Sequence, residues 1–141
     1  MSISFQEKSI WISLVITILL FGLYFVMAFI VFTNPYDPNT NLVGLFIGVI
    51  ILYVIFQIVL HSLVAIVHKK EADKSLDERD NLIELKATRI SYFILVLGVW
   101  VTGTSMLPGS SLMMAHIIMF FFVLAEIVGF LIQLFYYRRG V

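Results

Sequence analysis

"LVGLFIGVIILYVIFQIVLHSLVAIV", residues 42–67, contains no Asp, Glu, Lys or Arg. A helix rises ~1.5 Å per residue, so ~20 apolar residues cross the ~30 Å of hydrocarbon in a bilayer. This stretch is long enough to cross with some tilt. Its apolar positions are continuous and do not alternate with period two, so it reads as a transmembrane helix and not as a barrel strand.

The same pattern recurs on either side. Uncharged or nearly uncharged runs cover about 10–33, 90–107 and 112–137, which makes four expected spans. The third is short by itself and is expected to borrow length from an amphipathic helix ahead of it. The first is longer than the apolar core of a signal peptide and is followed by no small-x-small cleavage pattern, so a retained span is expected. Composition agrees with the class: 61% hydrophobic and 13% charged residues, against ~25% charged in a soluble domain. Mean hydropathy is +1.04. The absence of cysteine removes disulfides, thiolate metal sites, Cys nucleophiles and palmitoylation together. The zero net charge gives no sign of a nucleic-acid partner.

Charge placement sets the expected orientation. All 9 Lys and Arg residues lie before the first run, between the second and third, or after the fourth. The loops "TNPYDPNTN" (33–41) and "LPGSS" (107–111) carry none. By the positive-inside rule both termini and the central segment face the cytoplasm. The expected fold is all-α: a polytopic membrane protein in which four helices form two N-in hairpins and one small bundle. The whole chain, 1–141, reads as a single membrane domain.

The central segment is dense in charge of both signs. Ser75 with Glu78 fits a capping box, so a linker helix is expected over about 75–89, starting at Leu76 and running into the third span. Asp77, Glu78 and Asp80 suit its first turn. Leu76, Ile83, Ala87, Ile90 and Ile94 are expected to share a face. Asp77, Glu78, Arg79, Lys86 and Arg89 are the candidate cytoplasmic docking surface. It would serve a membrane or cytoplasmic protein or, through its basic residues, anionic lipid headgroups.

The stretch "DERDNLIELKATRISYF" (77–93) resembles a prokaryotic family of small predicted membrane proteins of unknown function. The resemblance rests on Asp77, Glu78, Arg79, Ile83, Lys86, Ala87, Ser91 and Tyr92. It implies a bacterial or archaeal plasma (inner) membrane and transfers no catalytic residue.

Polar residues inside spans mark candidate sites, because hydrocarbon penalises them. The second span carries Gln57, His61 and, at its end, His68, spaced to share one face. The fourth carries His116, Glu126 and Gln133. Counted from the outer ends, Gln57, His61, Glu126 and Gln133 fall at similar depth and are expected to form one buried polar cluster. Glu126 is the one acid within a span. An acid–imidazole pair there would suit a proton or small cation; interhelical hydrogen bonding is the plainer use. One Glu with two His at unequal depths is too few for zinc and poorly placed for bis-His haem, so no metal or cofactor is expected. No hydrolase or nucleotide-binding motif is present. Gly44 with Gly48, and Gly98 with Thr102, are small-x-x-x-small pairs open to packing inside the bundle or to a homodimer face.

Three function classes remain. The first is a non-enzymatic accessory or regulatory partner of membrane or cytoplasmic components. The second is an oligomeric proton or small-cation transporter or channel. The third is an intramembrane enzyme or cofactor-binding domain.

Overall fold

A computed structural model describes residues 4–33, 42–67, 77–104 and 111–139. The two expected loops, the capping Ser75 with Leu76, and His68 lie outside these residues. The described residues form four helices: α1 Phe5–Thr33, α2 Leu42–Val67, α3 Glu78–Thr104 and α4 Ser111–Arg139. Three helical segments, Phe5–Val31, Val43–Val67 and Met113–Arg139, are long and apolar enough to cross a membrane. α3 is not among them, because its first turns are charged.

Local chemistry accounts for the helix starts. Ser4 caps α1: its hydroxyl accepts the Glu7 amide at 3.2 Å, and Glu7 occupies the acidic position of an S-x-x-E box. The helix therefore begins five residues before the expected span at 10. The described part of α3 starts at Glu78. The Asp77 carbonyl accepts the Asn81 amide at 3.1 Å, while Asp80 Oδ2 accepts the Asp77 amide at 3.3 Å. Asp77 Oδ1 accepts the Glu78 amide at 2.7 Å, so the two carboxylates take up amides at the helix start, and both acids favour its positive end.

The chain divides into two compact units, Met1–Asp73 and Lys74–Val141. In the first, α1 packs against α2. Leu14, Thr17, Phe21, Tyr24 and Ala28, spaced three and four apart, form the buried stripe of α1. Phe21 meets Tyr53 at 5.2 Å between ring centroids, and Tyr24 meets Phe46 at 6.0 Å. As α1 advances its partners on α2 recede, so the pair is antiparallel.

In the second unit α3 packs against α4, also antiparallel. Ile83, Ala87 and Gly98 are buried on α3; Met119, Val123, Ala125, Gly129 and Leu134 are buried on α4. Ile83 and Ala87 hold the expected inward face, but Ile90 is exposed. Ser91, one full i+4 step beyond Ala87, turns inward instead. Gly98 allows the close approach, since a Cβ there would run into the Phe121 side chain.

Outside these stripes the helices present large apolar side chains. Ile66, Val67 and Trp100 are each more than 70% exposed. A surface of that kind is a liability in water and is ordinary contact area in lipid. Burial of apolar area gives little drive for helix association in a bilayer, so close packing and hydrogen bonds must hold each pair together.

Candidate functional site

The first unit carries a polar seam. Ser9, Ser13 and Thr17 recur every four residues on α1; Tyr53, Gln57 and His61 do so on α2. Antiparallel packing puts the two rows in register. Ser9 Oγ lies 2.7 Å from His61 Nδ1, and Ser13 Oγ lies 2.9 Å from His61 Nε2. Gln57 Oε1 lies 2.8 Å from the same Nε2, and the Ser13 hydroxyl donates to it at 3.2 Å. Thr17 Oγ1 donates to the Ser13 carbonyl at 2.8 Å and meets the Tyr53 hydroxyl at 3.4 Å.

Donor accounting orders this seam. An amide oxygen only accepts, so Nε2 of His61 carries the ring hydrogen and Nδ1 accepts from Ser9. Each ring nitrogen is then occupied. Ser13 and Thr17 are buried, and such side chains must be hydrogen-bonded to be tolerated in hydrocarbon.

The second unit carries a half-open cleft of about 230 Å³, lined by Glu84, Thr88, Ser91, Glu126, Gly129, Phe130 and Gln133. Ser91 donates to the Ala125 carbonyl at 2.9 Å and so joins α3 to α4 at the cleft wall. No described side chain of this unit hydrogen-bonds Glu126 or Gln133. The cleft therefore presents two carboxyl groups, an amide and two hydroxyls. Such a set accepts protons, small cations or hydrogen-bond donors.

The charged start of α3 is tied to the end of α4. Tyr137 donates its hydroxyl to Asp80 Oδ1 at 2.8 Å, and Arg79 donates to the Tyr137 carbonyl at 3.4 Å. Lys86 Nζ lies 5.0 Å from the centre of the Tyr136 ring, within range of a cation–π contact. Arg139 lies 4.8 Å from the Phe135 ring centre.

The expected site residues are thus distributed as follows. Gln57 and His61 come together in the first unit, with Ser9 and Ser13 as partners. Glu126 and Gln133 line one cleft in the second. Of the candidate docking residues, Asp77 caps α3 while Arg79 and Lys86 contact α4; Glu78 and Arg89 are exposed. His116 is half-buried in the first turns of α4. Among the described residues no three His, Cys, Asp or Glu side chains gather as a metal set.

Sequence reasoning missed Ser9, Ser13, Thr17 and Tyr53 as members of the seam with Gln57 and His61, and Glu84 and Ser91 as residues that line the cleft with Glu126. The signal for the first group was present in the two matching i, i+4, i+8 rows. For the second group, Glu84 was assigned to the solvated linker and not to the wall of a cleft.

The long apolar helices, with their polar side chains gathered into seams and clefts, define an α-helical membrane protein. The chain belongs to the DUF2178 family of predicted membrane proteins, whose model matches residues 58–141, more than half of the sequence. No match to a curated protein or to a solved structure was found.

Proposed function

We propose that this chain is a non-enzymatic accessory or regulatory protein of a prokaryotic plasma membrane. In this reading it has four spans arranged as two hairpins, with both termini in the cytoplasm. The one-sided distribution of its basic residues supports that orientation.

The observation that carries the accessory role is the cleft around Glu126. A carboxyl group and an amide with no hydrogen-bond partner among the described residues of their unit cannot face lipid without large cost. A partner that brings donors to the cleft, such as a membrane helix with a Lys, Arg, Ser or Asn, removes that cost. The test is a photo-crosslinking residue at Phe130 in native membranes. A crosslink to one partner protein is expected, lost in Glu126→Leu. Crosslinks to lipid alone would reject the accessory role.

The oxygen-rich lining supports a second reading, in which an oligomer conducts protons or small cations through the same cleft. Proteoliposomes would then pass current or protons in the wild type, and Glu126→Gln would be silent while folding normally. Absence of wild-type flux would remove this reading.

A further inference from the structure

The third helix poses a length problem. Its uncharged part, 90–104, spans only ~22 Å at ~1.5 Å per residue, short of the ~30 Å hydrocarbon. Yet α3 is one unbroken helix of 27 residues, ~40 Å long, comparable to a bilayer with its headgroup layers.

The exposed side of α3 resolves it. Leu82, Leu85, Phe93 and Trp100 fall at helical spacing along one outward stripe and are 48%, 68%, 64% and 72% exposed. The stripe runs from the charged turns into the apolar part, with Arg89 set within it. Glu78, exposed, heads this stripe one turn before Leu82, while the acids that follow lie on another face. Asp80 accepts from Tyr137 and Glu84 lines the cleft, so both acids are turned towards α4. Arg89 lies between Leu85 and Phe93 on the outward stripe, exposed, and Lys86 lies beside it. No described residue of the unit pairs with Arg89.

We infer that the outward face of α3 from Leu82 to Phe93 is a binding surface for anionic lipid headgroups. Leu82 and Leu85 enter the boundary between headgroups and acyl chains, and Arg89 snorkels back to lipid phosphates, while Lys86 stays over the Tyr136 ring of α4. This lengthens the lipid-embedded part of α3 by about two turns beyond Ile90. It rests on the proposed crossing of the membrane by α3.

The chain has no cysteine, so single cysteines carry a fluorophore without interference. Probes at Leu85→Cys, Glu78→Cys and Trp100→Cys are compared in vesicles of phosphatidylglycerol with phosphatidylcholine. Quenching by aqueous iodide is set against quenching by spin-labelled lipid. At Leu85 iodide quenching should be about fivefold weaker than at Glu78, as for a residue withdrawn into the interface. Equal iodide quenching at the two positions overturns the inference. Loss of lipid quenching at Trp100 would instead show that α3 does not cross, which is a distinct failure. Spin-labelled phosphatidylglycerol should quench the Leu85 probe more than spin-labelled phosphatidylcholine. Arg89→Gln should reduce that preference about fivefold. An equal response to the two lipids overturns the anionic specificity.

Discussion

Ser9 and Ser13 hold opposite nitrogens of one imidazole: Ser9 Oγ is 2.7 Å from His61 Nδ1 and Ser13 Oγ is 2.9 Å from Nε2. Two hydroxyls one helical turn apart on α1 therefore fix the ring of a residue on α2. In hydrocarbon, where apolar contact with a neighbouring helix gains little over contact with lipid, such bonds set the register of the pair.

The ring should exist as the Nε2–H tautomer. ¹⁵N NMR of the protein labelled at histidine is the check, with His61 assigned by His61→Gln. An Nδ1–H majority would mean that Gln57 does not accept from the ring. Ser9→Ala removes the donor to Nδ1 and should shift that nitrogen's resonance with little change at Nε2.

Ser13→Ala leaves Gln57 and His61 one partner short. The expected loss is about 0.6–1.7 kcal/mol per interhelical bond. Unfolding of the purified protein in mixed detergent micelles would measure it. No change in the midpoint would show that the seam is incidental to stability.

Gly98 and Gly48 should respond oppositely to enlargement. A Cβ at Gly98 runs into Phe121, whereas one at Gly48 meets nothing within 4 Å. Gly98→Val should destabilise the α3–α4 pair by about 1–3 kcal/mol or more through overpacking. Phe121→Ala should not rescue it fully, because the alanine keeps the colliding Cβ. Gly48→Ala should leave thermal stability unchanged; a loss there would reveal packing on the open face of α2.

Asp80 has two tasks, accepting the Asp77 amide and the Tyr137 hydroxyl. Asp80→Ala should therefore loosen the start of α3 more than Tyr137→Phe. The single bond to a half-buried carboxylate is expected to contribute about 1 kcal/mol, and the cap about 0.5–2 kcal/mol. Hydrogen exchange of amides 79–83 provides the readout. Equal effects of the two substitutions would assign the whole contribution to Tyr137.

Much of the architecture was legible in the chain because hydrocarbon imposes a simple rule. Charge-free runs of about 20 residues must be helices, and residues 42–67 are helical throughout in α2. Helix ends were less legible. Two S-x-x-E boxes exist, at Ser4 and Ser75, and the expectation chose the one near the charged segment. Asp77 and Asp80 cap α3 from within a run of acids where several starts are chemically equivalent.

By itself the sequence determined the class of protein, its three long apolar helices, and which residues are too polar for lipid. These follow from composition and spacing along one chain, against a solvent whose chemistry is uniform. Only the tertiary structure decided who meets whom. His61 is held by the serines of α1, and Glu126 shares a cleft with Glu84. Arg79 and Lys86 are drawn onto the tyrosines that end α4. Partner choice depends on the register of two antiparallel helices. A slide of one turn, ~5.4 Å, would pair a different set of side chains with the same apolar pattern. Helix-to-helix hydrogen bonds and the close approach at Gly98 select one register, and both exist only once the helices are packed.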